Sequence, residues 1–272
     1  MKHIFILSIS ILFYFSAFSQ SVNALISKGI EAGNKRNYKE AILQFDNVLK
    51  QEPNNAQALY YKAYSLQNLG AYSEAIKFYT LSLKYAQRGE TYHNRGYCYI
   101  KTSQNDLAIK DLSKAMELDG SNLRILKTRI IAYKKMEKYD LMLKDINTYL
   151  EKDETNFNMR ANKAIVLSLL EKPKEAIPIY NELIKEKPNE KKLYYGIGQL
   201  YLKTNQLNYA LYNADKAIML DGKYAKAYLL KSEILMAVNK KEESCRMFNK
   251  SIELGIDSNR EEYKMLKKYC NE

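Results

Sequence analysis

The chain has 272 residues, with 43 Lys and Arg against 31 Asp and Glu, a formal charge of +12 that ordinarily points to nucleic acid or an acidic surface. Two histidines, and three cysteines without a CxxC spacing, leave no His-rich zinc site and no structural zinc. Ten glycines and four prolines among many Ala, Leu, Lys and Glu favour helix throughout, and a hydrophobic content of 46% suffices for a folded chain.

The first twenty residues, MKHIFILSISILFYFSAFSQ, stand apart. One early Lys2 precedes an apolar run from Ile4 to Phe15, then small and polar residues with Ala17 and Ser19 where a signal peptidase wants small side chains. This predicts a signal peptide over 1–19, cut before Gln20; a retained anchor is the alternative. The run is too short to span a bilayer, and no cysteine follows to take a lipid. The expected mature chain is exported, periplasmic or secreted and not a lipoprotein, in an oxidising space. It keeps a charge of +11, and export argues against nucleic acid as a partner.

From residue 22 onward the chain repeats itself. NYKEAILQFDNVLKQEPNN at 37 returns as AYSEAIKFYTLSLKYAQRG at 71 and KPKEAIPIYNELIKEKPNE at 172, with weaker copies at 104, 138, 206 and 240. The steps are 34 residues, once 33. A fixed period of this length means stacked supersecondary units. Seven units start near 22, 56, 89, 123, 157, 191 and 225, over 20–258. In each, an apolar stripe at helical spacing, a break such as Gly70 and a second stripe predict two helices joined by a turn. The eighth position is small in every unit but the fourth: Gly29, Ala63, Gly96, Ala164, Gly198 and Ser232, with Ile130 the exception. The twentieth repeats this: Ala41, Ala75, Ala108, Ala176, Ala210 and Ser244, with Met142 the exception. These positions are read as the close approach of two helices, and the fourth unit is expected to splay slightly. Pro178 is placed within the first turn or so of its helix, where it costs little.

This pattern resembles the tetratricopeptide repeat, and AYSEAIKFY and NYKEAILQF match its second half closely. The resemblance implies an all-α fold, a right-handed solenoid of about seven helix-turn-helix repeats with a C-terminal capping helix at 259–272. It also implies a concave groove, lined by the first helix of each repeat, that grips peptides.

No active site is legible. His93 is the single histidine left after the leader, and YGIGQL around Gly196 and Gly198 lacks the third glycine of a dinucleotide loop. No cofactor or metal is expected, and the chain is read as a non-catalytic scaffold or adaptor of the cell envelope. The stripe beside the core stripe of each first helix, at unit positions 2, 5, 9, 12 and 13, holds eight basic residues and two acids, Glu90 and Glu233, so it carries +6 of the mature +11. Lys101, Arg124, Lys127, Lys134, Lys135, Lys192, Lys203 and Lys226 are the basic ones, and Tyr60, Tyr64, His93, Tyr97 and Tyr195 lie among them. Such a groove suits an extended acidic segment of another protein with an apolar anchor. An anionic polymer, polysaccharide or nucleic acid, is the alternative ligand of the same stripe. Ile26, Ile30, Tyr60 and Tyr64 do not supply the Lys and Asn of the family's clamp for chaperone tails.

The last stretch, SNREEYKMLKKYC, reads as the cover of the final repeat. Ser258 and Glu261 form a capping-box pattern, and Tyr263, Leu266 and Cys270 share one helix side. Unit position 21 is Ile or Leu in six units and Cys245 in the seventh, where it faces the next helix. In an oxidising space this predicts a Cys245–Cys270 disulfide, with two packed but reduced cysteines as the alternative and Cys98 a free, partly buried thiol.

Overall fold

The computed structural model describes residues 22–271, so the leader and its cleavage site lie outside the described residues. They form two compact units that divide between Lys138 and Tyr139. The first holds α1 (22–34), α2 (Tyr38–Gln51), α3 (Ala56–Asn68), α4 (Tyr72–Tyr85), α5 (Gly89–Lys101), α6 (Asn105–Leu118) and α7 (Leu123–Lys135). The second holds α8 (Tyr139–Leu150), α9 (Phe157–Leu169), α10 (Pro173–Glu186), α11 (Lys191–Lys203), α12 (Leu207–Leu220), α13 (Ala225–Ala237) and α14 (Lys241–Glu253). A 3₁₀ turn, Glu261–Tyr263, and α15 (Lys264–Asn271) complete it, and no strand occurs among the described residues. The division falls within repeat four, the unit that lacks both small residues.

Local chemistry sets these boundaries. Asn55, Asn122 and Asn156 immediately precede α3, α7 and α9, and each side chain accepts a hydrogen bond from a first-turn N–H. Each hairpin turns at one left-handed residue: Arg36, Gly70, Ser103, Glu137, Glu171, Asn205 and Asn239. The following N–H closes on the carbonyl five residues back, as in Ala71 to Leu66 and Lys172 to Leu167, both 2.9 Å. Gly70 adopts this backbone freely and Asn205 and Asn239 tolerate it; Arg36, Ser103, Glu137 and Glu171 each cost about 1–2 kcal/mol, so at those four turns tertiary packing overrides local preference.

That packing is the approach of small residues. Ala63, Ala164, Ala41, Ala75, Ala108, Ala176 and Ala210 are fully buried. A Cβ on Gly29 would stand 2.6 Å from the Phe45 ring, and one on Gly96 2.9 Å from Leu112. In repeat seven the contact is polar: Ser232 Oγ donates to the Ser244 carbonyl at 2.7 Å, and Ser244 Oγ donates back to the Ser232 carbonyl at 2.8 Å. Both hydroxyls are buried and satisfied, as burial requires. Repeat four keeps the same positions buried with Ile130 and Met142. Beside each contact an apolar or aromatic residue fills the space between repeats, among them Phe45, Tyr79, Leu112, Ile146 and Tyr180.

First helices of successive repeats touch within each unit: α3 with α5 and α5 with α7, then α9 with α11 and α11 with α13. Successive second helices make no comparable contact, so within a unit the first helices line the inner side of the stack. No helix of the described residues is long and apolar enough to cross a membrane.

Two expectations are corrected. Pro178 is the sixth residue of α10 and not in its first turn, so its ring nitrogen forgoes a bond to the Lys174 carbonyl. Both residues are exposed, which lets water satisfy that carbonyl. Ser258 and Glu261 do not form a capping box: the 3₁₀ turn has no side-chain cap, and Asp257 instead accepts from the Asn259 N–H at 3.0 Å. Leu266 still packs with Leu229 and Phe248, flanked by Tyr263 and Cys270. Cys245 and Cys270 are paired, with Cα atoms 5.4 Å apart and a sequence separation of 25. Cys98 is fully buried, and burial pushes its thiol up to about 12.

Two outcomes test this packing. Gly29→Ala is expected to destabilise the first unit by about 1–3 kcal/mol through the Phe45 clash. Gly33→Ala meets nothing within 4 Å and is expected to gain about 0.5–1 kcal/mol. Urea unfolding of both variants checks the sign difference; equal effects would contradict it. Separately, protein exported through an oxidising compartment and denatured without reductant is expected to titrate one thiol, that of Cys98. Three thiols would rule the bridge out. Its loss is expected to cost the cap about 3–4 kcal/mol.

Candidate binding site

The inner side of the first unit carries a concavity of about 510 Å³. Gln67 and Asn68 of α3, His93, Asn94 and Tyr97 of α5, and Arg124, Lys127 and Thr128 of α7 line it, with Tyr72 at the rim of α4. Two hydrogen bonds of the same kind build its floor. The fifth residue of one repeat reaches the sixth of the next: Tyr60 Oη accepts from Asn94 Nδ2 at 3.0 Å, and His93 Nε2 meets Thr128 Oγ1 at 2.8 Å. Thr128 Oγ1 gives its own hydrogen to the Arg124 carbonyl, 2.9 Å away. The His93 ring is therefore the donor of that pair.

These bonds decide what each amide offers. Gln67 Oε1 accepts from Tyr79 Oη at 2.9 Å and from the Cys98 thiol at 3.4 Å. Its oxygen is committed to the core, and its amide N–H group is left to the cavity. Asn94 gives an N–H to Tyr60, and Asn68 gives one to the Tyr64 carbonyl at 2.8 Å. Exposed Asn68 thereby presents its carbonyl oxygen, whereas Asn94 is buried. The Gln67 donor and the Asn68 acceptor beside two cations match an extended backbone that bears a carboxylate.

The expected residues divide. His93, Tyr97, Arg124 and Lys127 come together here. Tyr60 does not touch the cavity: it is 7% exposed, its ring packs with Ala63 and Tyr79, and burial with the neighbouring Glu90 holds its hydroxyl far above the usual tyrosine range. Its part is to position Asn94, which corrects its reading as a partner contact. Tyr64 lines a smaller cavity of about 230 Å³ with Gly29, Phe45 and Tyr61. Lys101 stacks on the Tyr97 ring at 5.3 Å, and Lys135 Nζ donates to the Ile100 carbonyl at 3.3 Å, so both brace α5; Lys134 is exposed. Lys192, Tyr195 and Lys203 lie on α11 in the second unit. Tyr195 packs edge-on against Tyr224 at 5.6 Å, Lys203 borders a cavity with Leu200 and Thr204, and Lys192 is exposed. Asn94 and Thr128 escape a search for charge and aromatics because they are neutral. Their signal is that each occupies the sixth position of its repeat. Among the described residues, no cluster of His, Cys, Asp and Glu could hold a metal ion.

Comparison with known proteins agrees with this architecture. Residues 26–89 and 89–122 match family models described as tetratricopeptide repeat. Sperm-associated antigen 1 of Mus musculus is 38% identical over 65 residues, which cover 24% of this chain and 7% of that protein. The chain thus spans a small part of that relative. A tetratricopeptide repeat protein from Parabacteroides merdae, solved by crystallography, superposes with a TM-score of 0.64 at 24% identity, covering 93% of this chain and all of that one. YrrB, described as a tetratricopeptide repeat protein with an unusual peptide-binding site, gives 0.62 at 19% identity over 72% of this chain and 97% of its own. Residues 26–122 thus match the tetratricopeptide repeat, and the described residues share the all-α fold of such proteins. That fold is one that supports protein–protein interaction, in a family generally without catalysis.

The floor of the cavity has a titratable member. Burial holds the His93 imidazole below its ordinary value of 6.5; the Arg124 charge acts the same way and Glu90 opposes it. The unfolded chain therefore binds a proton at higher pH than the folded one. Stability is full above about pH 6.5 and falls as pH drops toward and through the lower folded value. His93→Gln retains a donor toward Thr128 and is expected to flatten this part of the profile. Melting temperatures of both proteins between about pH 7 and pH 5 check it; parallel profiles would contradict the assignment.

Proposed function

We propose that this protein is an exported scaffold or adaptor of the cell envelope that takes an extended, acidic segment of another protein along the inner face of its first unit. The observation that carries the reading is the joint placement of Arg124 and Lys127 with the amides of Gln67 and Asn68 around one cavity. Cations alone would serve any polyanion. The amides add donors and acceptors for a peptide backbone, and Tyr97 and Tyr72, 6.3 Å apart edge-on, add an aromatic wall for an apolar anchor. The peptide-binding site named for YrrB is in keeping with this use of the fold. Export rests on the leader sequence, and the Cys245–Cys270 pair is the arrangement an oxidising compartment would preserve.

A short labelled peptide of alternating aspartate and phenylalanine is the probe. Binding is expected to weaken with salt, as exposed charge pairs do, yet persist in part because the backbone and ring contacts are uncharged. Arg124→Ala with Lys127→Ala is expected to weaken it by about 5- to 30-fold, roughly 1–2 kcal/mol. Fluorescence anisotropy across a salt series measures both. Undiminished affinity in the double variant would contradict the site, and tighter, fully salt-sensitive binding of a polyanion without aromatic groups would favour the polymer reading.

A further inference from the structure

The seven repeats provide an internal comparison for the outer faces of the second helices. On α12 the outward stripe is Tyr209, Tyr212, Lys216 and Met219, at spacings of three, four and three. Tyr209 is 61% exposed, Tyr212 58% and Met219 68%. The same positions on α10 are Glu175, Pro178, Glu182 and Lys185, and on α14 they are Glu243, Arg246, Lys250 and Glu253. In the first unit they are mostly Lys and Glu with single leucines such as Leu43, Leu81 and Leu107. A solvated outer face needs no tyrosine pair and no methionine, and six repeats do without them. Repeat six alone replaces its charges with apolar surface and keeps one cation, and its neighbours α10 and α14 supply polar residues at the corresponding positions. An apolar centre with a polar rim is the build of a contact surface.

The order of the four residues indicates what covers it. The stripe is self-complementary about residue 214. Laid antiparallel against a second α12, Tyr209 meets the other copy's Met219 and Tyr212 meets the other copy's Lys216. Each aromatic then faces a thioether or an ammonium, the two groups that interact favourably with rings. Within one copy, Lys216 already lies over the Tyr212 ring at 5.6 Å, so the pair is formed locally and is available for exchange. Two chains with a large excess of positive charge repel, and a stripe with one cation per copy, faced by a ring and not by another cation, is where such chains can meet. We propose that α12 is an isologous dimer contact, with a second copy of this chain as the occupant. At roughly 200 Å² for a whole tyrosine, the two rings offer about 240 Å² per copy. With Met219 and the Lys216 stem, two copies bury on the order of 800 Å², below the usual range for stable complexes. The dimer is therefore weak and concentration-dependent.

Sedimentation equilibrium of the protein tests this, with two substitutions at one exposed position. Tyr212→Lys sets lysine against Lys216 of the other copy and is expected to weaken dimerisation by more than about tenfold. Tyr212→Glu sets a carboxylate against that lysine and is expected to keep it within about threefold. Circular dichroism melts should match the parent for both. A protein that stays monomeric at millimolar concentration overturns the proposal. So does a dimer that ignores Tyr212→Lys, or one that both substitutions weaken alike; the last would mean an apolar patch for a lipid surface or another protein, without this register.

Discussion

Two helices can lie close enough to form these hairpins only where neither presents a large side chain. The eighth and twentieth residues of every repeat but the fourth, which has Ile130 and Met142, meet that condition, with alanine or glycine in most repeats and with a hydrogen-bonded serine pair in the seventh. The spacing fixes how far each second helix stands from its first, and hence where the large residues Phe45, Tyr79, Leu112 and Tyr180 must go. The left-handed turns follow from the same constraint. Four of seven, Arg36, Ser103, Glu137 and Glu171, use residues that would not choose that backbone alone, so hairpin packing decides those connections.

The cavity on the first unit is a consequence of this repetition. Because first helices of neighbouring repeats touch, the fifth residue of one repeat comes beside the sixth of the next. In the first unit those pairs are Tyr60 with Asn94 and His93 with Thr128. Each pair spends its polar atoms on cohesion between neighbouring repeats beneath the cavity. Below, Tyr79 and Cys98 hold the Gln67 oxygen in the same manner. The outer face shows the complementary logic: the equivalent positions of the other second helices are mainly charged, with single leucines, while on α12 Tyr209, Tyr212 and Met219 depart from the pattern.

Much of this was legible before any coordinates. The period placed repeat starts at 56, 89, 123, 157, 191 and 225, and α3, α5, α7, α9, α11 and α13 begin at those residues. Periodicity works here because every repeat votes on the same boundary. The site was only half legible. Four expected residues, His93, Tyr97, Arg124 and Lys127, share the cavity because charge and ring size are visible in a sequence. Tyr60 was misplaced because the fifth position sits at the border between core and inner face. There the side chain turns under the next repeat, and in Tyr60 the ring is buried. Asn94 and Thr128 were missed because a neutral polar residue declares its role only through its partner. Pro178 and Ser258 show a related limit: a motif gives composition, while helix register and loop length decide whether the bond can form.

The central claim is that a peptide segment is held by the amides that the core orients, with Arg124 and Lys127 supplying charge. Side-chain amide resonances report this directly. In a nitrogen–proton correlation spectrum recorded while an acidic aromatic peptide is added, the NH₂ signals of Gln67, Asn68 and Asn94 and the Nε–H of Arg124 should move together with one saturation curve. Shifts confined to other residues, with these four signals unmoved at saturation, would contradict the account.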